Sequence, residues 1–167
     1  MDIVTGAHVA VGLVVPVPRD QLWDLVTAVD RIGEWSPEVT GGAWCEGAAG
    51  PVPGARFHGH NRFPNGFEST VTCVVTEAQR PDVFAWAVLD DAGQVGSAWR
   101  YELREGGEPG TSVVHHSFTH GPGFTGVRPG AEEDPQALHD RLVTLCRNMT
   151  STIAAMVTTE SLTGANR

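Results

Sequence analysis

The fold of this chain is decided by residues 56–73, which read RFHGHNRFPNGFESTVTC. The central Pro64-Asn65-Gly66 is typical of a three-residue hairpin loop in which the glycine takes the left-handed conformation. With Phe63 opposite Phe67, one register follows by counting outward, and Asn61 pairs with Ser69. Because side chains alternate along a strand, this register divides the hairpin into two unlike faces.

One face of the hairpin is basic and the other is largely apolar. The basic face carries Arg56, His58, His60 and Arg62 of the first strand. The other face carries, from both strands, Phe57, Gly59, Asn61, Phe63, Phe67, Ser69, Val71 and Cys73. Burying the basic groups without partners would be prohibitive, so we predict that the apolar face lies inside and the basic face is solvated.

The basic face raises the question of a metal site, because His58 and His60 share it and Glu68 is near. A first-row metal needs about three converging protein ligands, and this face offers neither an obvious third ligand nor enclosure. His115 and His116 are adjacent and point to opposite faces of their strand. No Gly-rich phosphate loop, nucleophile elbow or His-Glu-x-x-His pattern is present. We therefore expect no metal and no cofactor.

Outward from the hairpin, hydrophobic patterning predicts an antiparallel meander followed by a long helix. The predicted elements are a strand at 8–15, a helix at 19–30, a turn at 32–35, strands at 39–45, 83–89, 97–104 and 112–119, and a helix from Pro135 to about Glu160 with Asp134 as its N-cap. The apolar stripe of that helix runs from Leu138 to Met156, and Arg141 is predicted on its far side. The segment 121–133 before it is either a gate or a flexible connector.

Composition limits the class of protein. The chain has 167 residues, which predicts one domain over 1–167 with a core at about 7–160. Its net charge of −9 argues against a nucleic-acid partner. Three well-separated cysteines predict a reduced, cytoplasmic location, and neither an export signal nor a membrane span is expected. The oligomeric state is left open between monomer and homodimer.

Several short motifs resemble actinobacterial members of the polyketide cyclase/dehydrase and START-like (SRPBCC) superfamily. They are Glu34-Trp35-Ser36-Pro37-Glu38, Pro53-Gly54-Ala55-Arg56-Phe57 with Gly59 and Asn61-Arg62, Trp99-Arg100-Tyr101-Glu102-Leu103, and His120-Gly121-Pro122-Gly123. The resemblance covers about 9–156. It implies an α+β helix-grip fold, in which a curved antiparallel sheet of about seven strands wraps around a long C-terminal helix, with two short helices after the first strand. It also implies a deep ligand cavity between sheet and helix.

Four polar residues are predicted to face that cavity as catalytic candidates. Asn61 and Ser69 either donate to a carbonyl or enolate oxygen of the ligand or satisfy each other across the strands. Tyr101 is either a hydrogen-bond donor to the ligand or an anchored core tyrosine. His116, rather than His115, is predicted to face inward, where its imidazole is either a general base or a structural group.

Apolar residues are predicted to line the cavity and contact the ligand, as such sites usually require. From the sheet side they are Trp35, Phe57, Gly59, Phe67, Trp86, Trp99 and Phe118, with Glu38 at the mouth. From the long helix they are Leu145, Met149 and Ile153, and Leu145 and Met149 are predicted to form the roof. A plain aromatic core is the alternative interpretation.

Two functions are compatible with these residues, because the superfamily includes both enzymes and carriers. The first is a cyclase, aromatase or dehydratase of secondary metabolism, such as antibiotic biosynthesis. It would fold a hydrophobic aromatic or polyketide-like molecule by shape and acid/base help, without a covalent intermediate. The alternative is a non-catalytic carrier, or a self-resistance protein that sequesters a hydrophobic metabolite.

Overall fold

The structure is a computed structural model that describes residues 1–164, with side chains as far as residue 159. The last three residues of the predicted 1–167 domain lie outside the described residues. The elements are β1 (His8–Val15), α1 (Arg19–Val26), a 3₁₀ turn (Ile32–Glu34), β2 (Val39–Trp44), β3 (Arg56–Arg62), β4 (Glu68–Gln79), β5 (Val83–Leu89), β6 (Val95–Glu105), β7 (Ser112–His120), α2 (Arg128–Glu133) and α3 (Pro135–Gly164).

The seven strands form one curved antiparallel sheet in the order β1-β7-β6-β5-β4-β3-β2. Strands β2 to β7 follow one another as a meander, and β1 pairs with β7 at the other edge. With the long helix α3 after the last strand, this is the predicted helix-grip architecture, which the structure confirms.

The β3–β4 hairpin has the predicted register. Asn61 pairs with Ser69, and Phe57 pairs with Cys73. The Phe63 N–H donates to the Phe67 carbonyl at 2.9 Å, and Gly66 has the expected positive φ of 82°. All four residues of the basic face, Arg56, His58, His60 and Arg62, are exposed. The basic face is therefore in contact with water, and the largely apolar face points into the protein.

Helix α3 packs on the β1–β7 side of the sheet. Its start is capped as predicted, because the Asp134 carboxylate accepts the N–H of Gln136 at 2.9 Å. Midway along it, Leu145 and Met149 cluster with Phe118 of β7. Further along, Ile153 joins the main core beneath α1. The helix thus covers one side of the inner face more fully than the other.

The segment between β7 and α3 makes defined contacts with the rest of the protein, and its role as a gate or as a flexible connector stays a prediction. Its second half forms α2, and Arg128 at the start of that helix donates hydrogen bonds to several residues. The guanidinium donates to the carbonyl of Gly121 at 2.7 Å, to the hydroxyl of Thr5 at 3.1 Å and to the carboxylate of Asp2 at 3.1 Å. The contacts with Thr5 and Asp2 join residues more than 120 positions apart, which hydrophobic patterning does not reveal.

Other sequence-level expectations concern location and metals. None of the helices in the described part of the chain has both the length and the apolar composition needed to cross a bilayer. Within residues 1–159, Cys45, Cys73 and Cys146 are free thiols. The same part of the chain contains no cluster of three or more His, Cys, Asp or Glu side chains suited to a metal ion. The cytoplasmic location stays a prediction.

Gly42 of β2 and Gly59 of β3 pair with each other, and we expect an added methyl group to destabilise the protein at Gly42 but not at Gly59. A Cβ on Gly42 would lie 2.6 Å from the Val29 carbonyl oxygen, whereas one on Gly59 would meet only Val71 Cγ2, at 3.5 Å. We expect Gly42→Ala to lower the free energy of unfolding by about 1–3 kcal/mol through overpacking. Gly59→Ala should change it by less than about 0.5 kcal/mol.

Equilibrium urea denaturation of the two variants checks this expectation. Equal losses of stability would show that the space in front of Gly59 is already filled.

Candidate functional site

Three cross-strand aromatic pairs form a continuous surface on the inner face of β5, β6 and β7. Trp86 stacks on Trp99 with ring centroids 6.1 Å apart and an interplanar angle of 3°. Tyr101 stacks on His116 at 3.7 Å and 1°. Trp99 also meets the edge of Phe118 at 4.8 Å. These five residues, here the aromatic wall, were all predicted site residues, and the fold brings them together.

His116 faces inward, as predicted, and His115 is exposed on the opposite face. The ring of His116 is 4% exposed, and its Nδ1–H donates to the Arg100 carbonyl oxygen at 2.9 Å. Because a carbonyl oxygen only accepts, this bond leaves Nε2 with a free lone pair. Burial lowers the pKa of His116 to about 4, although the hydrogen bond opposes the shift. At neutral pH the ring is therefore neutral and acts as an acceptor.

Tyr101 is buried beside His116, and burial raises the pKa of its phenol. The hydroxyl thus stays protonated throughout the physiological range and can donate a hydrogen bond. Stacked pairs of this kind contribute about 0.5–1.5 kcal/mol beyond the area they bury. Both interpretations of Tyr101 stay open, since anchoring in the core and donation to a ligand are compatible.

The inner face of the β3–β4 hairpin is only half-buried. Gly59, Asn61, Ser69 and Val71, here the open wing, point inward and yet keep partial exposure. Asn61 Nδ2 donates to Ser69 Oγ at 3.3 Å, so the two residues do satisfy each other. An amide has two N–H donors, and this bond uses one of them. The second can still reach a ligand.

Two predicted ligand contacts lie within packed parts of the protein. Phe57 is buried between Trp44 and Trp86, with ring centroids at 5.4 Å and 6.2 Å. Trp35 belongs to the same main core, and the Arg31 guanidinium lies over its ring at 4.8 Å. Both residues therefore stabilise the structure behind the aromatic wall, whatever else they contact.

Phe67 requires a correction. It was predicted to line the interior, but it is 61% exposed at the hairpin tip, where its ring stacks on Phe63 at 6.0 Å. The reason is that Phe67 lies one position beyond the last paired residues of β3 and β4, Arg62 and Glu68. Side chains keep alternating beyond the last paired residues, but the described part of the chain leaves the Phe67 side chain largely uncovered there.

Glu38 lies at the hairpin end of the sheet, as expected for a residue at the mouth, and it is ion-paired. Its carboxylate accepts two hydrogen bonds from Arg141, at 2.5 Å and 2.9 Å. The Arg141 guanidinium also lies over the Phe63 ring at 5.7 Å. Placing Arg141 on the far side of α3 was therefore wrong. Because α3 packs on the β1–β7 side, the flank that carries Arg141 turns toward the hairpin instead.

The three ligand contacts predicted on α3 are all buried, although they divide between two clusters. Leu145 and Met149 pack on Phe118, with Trp99 at the margin of the same cluster. Ile153 packs in the main core. The roof over the aromatic wall is therefore formed by Leu145 and Met149, and Ile153 lies further along the helix.

Sequence reasoning missed His120, the last residue of β7. It is 4% exposed and lies on the inner face, in series with His116 and Phe118. The signal was available, because alternation from His116 leads to Phe118 and then to His120. The predicted strand ended at Thr119, so His120 was not among the predicted inward-facing residues.

A surface groove of about 360 Å³ lies away from the aromatic wall. It is lined by Arg19, Asp82, Val83, Glu102, Leu103, Arg104 and Glu105. Arg19 bridges Asp82 at 2.5 Å and Glu105 at 3.2 Å across it. The groove contains none of the predicted site residues.

Comparison with known proteins gives a family and a fold. The family model described as "Polyketide cyclase / dehydrase and lipid transport" matches residues 6–147. A polyketide-cyclase-like protein of Corynebacterium glutamicum is 25% identical, with a TM-score of 0.61 over 90% of this chain and 88% of that chain. Among curated proteins, none matches the sequence.

Two more distant structures share the fold alone. A protein from Nitrosomonas europaea has a TM-score of 0.68 at 13% identity, covering 95% of this chain and 96% of that one. The di-domain ARO/CYC StfQ from the steffimycin biosynthetic pathway has a TM-score of 0.67 at 18% identity. That match covers 94% of this chain and 51% of the di-domain chain.

The buried neutral state of His116 predicts a loss of stability in mild acid. Burial lowers its pKa from 6.5 to about 4, so between these values the unfolded chain binds more protons than the folded chain. The stabilisation is complete above pH 6.5 and is lost as the pH falls toward 4. Its full size is about 3 kcal/mol.

Urea denaturation between pH 7 and pH 4 measures this dependence. In His116→Gln most of the pH dependence should disappear. The remainder belongs to His120, whose pKa burial also lowers, and, toward pH 4, to Glu34 and Glu102, whose pKa is lowered by hydrogen bonds from Arg31 and Arg100. His115→Gln, which removes the exposed ring next to it, is the matched control. A pH dependence that His116→Gln leaves unchanged would contradict the assignment.

Proposed function

Because the chain belongs to the polyketide cyclase/dehydrase and lipid transport family, we propose that it binds a hydrophobic aromatic or polyketide-like small molecule against the aromatic wall. The observation that carries the proposal is the half-burial of the open wing. Inward-facing residues of a filled interior would be buried, as Phe57 and Cys73 are on the same strands. Partial exposure of Gly59, Asn61 and Ser69 indicates space between the sheet and α3.

The shape of this space follows from how α3 packs. The helix covers the β1–β7 side, where Leu145 and Met149 meet Phe118, and leaves the β3–β4 side less covered. A ligand there would have Trp86 and Trp99 on one side and the open wing on the other. Flat aromatic surfaces with a few oriented polar groups are typical of sites for hydrophobic small molecules.

A cyclase-like activity would rely on shape and on neutral hydrogen bonds. The remaining N–H of Asn61 and the Tyr101 hydroxyl are donors that suit carbonyl or enolate oxygens, where negative charge develops during aldol-type ring closure or dehydration. Held in a folded conformation, a poly-carbonyl chain loses the entropy that otherwise opposes cyclisation. His116 contributes the Nε2 acceptor for a hydroxyl of the ligand.

A carrier or sequestering protein is the second candidate, and the ionisation states favour it. General bases work best with a pKa near the working pH, and His116 titrates at about 4. The one predicted carboxylate, Glu38, is held by Arg141. Among the described residues, the aromatic wall thus has no general base with a pKa near neutrality and no unpaired carboxylate. Such a surface suits a protein that retains its ligand unchanged.

Binding is tested with 1,8-dihydroxyanthraquinone, a flat phenolic probe that quenches tryptophan fluorescence. Gly59→Phe should weaken its binding at least about tenfold, because the new ring occupies the space while the backbone is unstrained. Trp99→Ala should weaken it by a similar factor through lost stacking. Gly107→Phe, in the exposed β6–β7 turn, is the matched control. Wild-type affinity in Gly59→Phe would refute the proposed site.

Turnover separates the two candidates. A poly-β-ketone generated in the assay by a minimal polyketide synthase is followed by liquid chromatography and mass spectrometry, with and without the protein. An enzyme should redirect the cyclised products, and Asn61→Ala should reduce that effect about a hundredfold, as loss of an oxyanion donor does.

A carrier should leave the product ratio unchanged and retain its ligand in native mass spectra of freshly purified protein. A protein that neither redirects products nor retains a small molecule would contradict both candidates.

A further inference from the structure

His120 is the most unusual polar group of the inner face, because it is fixed in place without a hydrogen bond to its ring. Its backbone is held on both sides: its N–H donates to the Ala7 carbonyl and its carbonyl accepts from Gly6 N–H, each at 2.9 Å. The ring meets the face of Phe118 nearly at right angles, with centroids 4.7 Å apart. The imidazole therefore occupies a defined position at the end of the aromatic wall.

Neither ring nitrogen of His120 makes a hydrogen bond of normal geometry in the described part of the chain, although the residue is 4% exposed. A neutral imidazole has one donor and one acceptor nitrogen. The Gly96 carbonyl lies near enough to interact with the donor, so the acceptor nitrogen is the one left without a partner. Buried polar groups are nearly always satisfied, and an orphan of this kind indicates a partner that the protein itself does not supply.

A second orphan lies close by. The Thr125 hydroxyl is also buried without a partner in the described residues. A Cβ on Gly96 would lie 3.3 Å from Thr125 Cγ2, and Gly96 precedes Ser97, the register partner of His120. A second polar group without a partner thus lies near the same end of β6 as His120.

The aromatic wall leads to this position. The Trp99 indole N–H donates to Ser97 Oγ at 3.2 Å, so its ring leans along β6 toward the residue opposite His120. Phe118 contacts both Trp99 and His120. A flat molecule lying along Trp99 would therefore bring one edge to the imidazole.

The local charge favours a neutral oxygen over a strong anion. Burial lowers the pKa of His120, the positive charges of Arg128 and Arg141 lower it further, and the Gly96 carbonyl opposes them. The ring is thus neutral at pH 7. The two guanidinium groups are already paired, with Asp2 and with Glu38, so little positive charge is left for a phosphate.

We propose that His120 is a second polar anchor for the ligand, one that accepts a hydrogen bond from a phenol or enol hydroxyl on the edge of an aromatic molecule lying along Trp99. The inference rests on the proposed function and narrows its ligand class to oxygenated aromatic molecules. His120 sets which end of the ligand lies at the α2 end of the sheet.

The test uses 2-naphthol and naphthalene, which differ by one hydroxyl group, with wild-type protein, His120→Phe and His120→Gln. Wild-type protein should prefer 2-naphthol about fivefold to tenfold, the usual effect of one hydrogen bond. His120→Phe should lose that preference and bind naphthalene within about twofold of wild type. His120→Gln, which keeps a donor and an acceptor, should retain part of the preference, and His115→Phe should retain all of it.

An unchanged preference in His120→Phe would overturn the inference while leaving the binding site intact. A lower melting temperature with equal loss of both probes would also overturn it, since that pattern indicates a role in folding, such as holding a buried water. If neither probe nor the anthraquinone binds to wild-type protein, the proposed function fails and the anchor with it.

Should His120→Phe not fold, nitrogen NMR of the wild-type imidazole decides the question. The His120 ring resonances should shift with 2-naphthol and stay in place with naphthalene. Equal responses to both compounds would overturn the inference.

Discussion

The pairing of β3 with β4 is the constraint on which the interior depends. The loop at 64–66 fixes the register, and a shift by one residue would turn the whole basic face toward the core. Unpartnered basic groups there would carry a desolvation penalty comparable with the net stability of a domain, about 5–15 kcal/mol. The remaining strands of the meander add to this hairpin in sequence, so the face chosen here is the inner face of β5, β6 and β7 as well.

The same desolvation decides the chemistry of the inner face. Its polar groups are neutral: His116 and His120 are kept unprotonated by burial, and Tyr101 is kept protonated. Charges are confined to the ends, where Arg141 pairs with Glu38. A molecule against the wall therefore meets flat rings and uncharged donors and acceptors, an environment that suits an uncharged aromatic ligand and penalises an ionised one.

The sequence pattern correctly predicted the features that neighbouring residues determine, namely the hairpin register and the directions of side chains along a strand. The turn residues of the hairpin determined its register, and alternation placed His116 rather than His115 inside. Contacts between distant parts of the chain could not be predicted from this local pattern. The side of α3 that carries Arg141 depends on where the helix rests on the sheet, and the stripe of apolar residues does not specify that position.

The predictions for the site have the same limit. Side-chain alternation predicts to which side of the sheet a residue points, but not whether other residues pack over it. Alternation points Phe67 inward, yet its side chain is 61% exposed at the hairpin tip. Alternation would also have placed His120 inside had the predicted strand been one residue longer. The segment 121–133 is joined through Arg128 to Asp2, which lies near the start of the sequence. The roles of the polar residues require the ligand, and no sequence pattern supplies that.

The positions of the ion pairs bear on how a ligand reaches the wall. Toward its C-terminal end, α3 is fixed by apolar packing of Ile153 and Met156 in the main core. Near α2 it is held by the pair of Arg141 with Glu38 and by a smaller apolar cluster around Leu138. Partly exposed ion pairs contribute about 1 kcal/mol or less, whereas each large core side chain contributes several times more. Separation of α3 from the sheet is therefore easiest at the α2 end. Since His120 lies at that end, a ligand anchored by its oxygen would keep its polar edge near the opening and its apolar body along the wall.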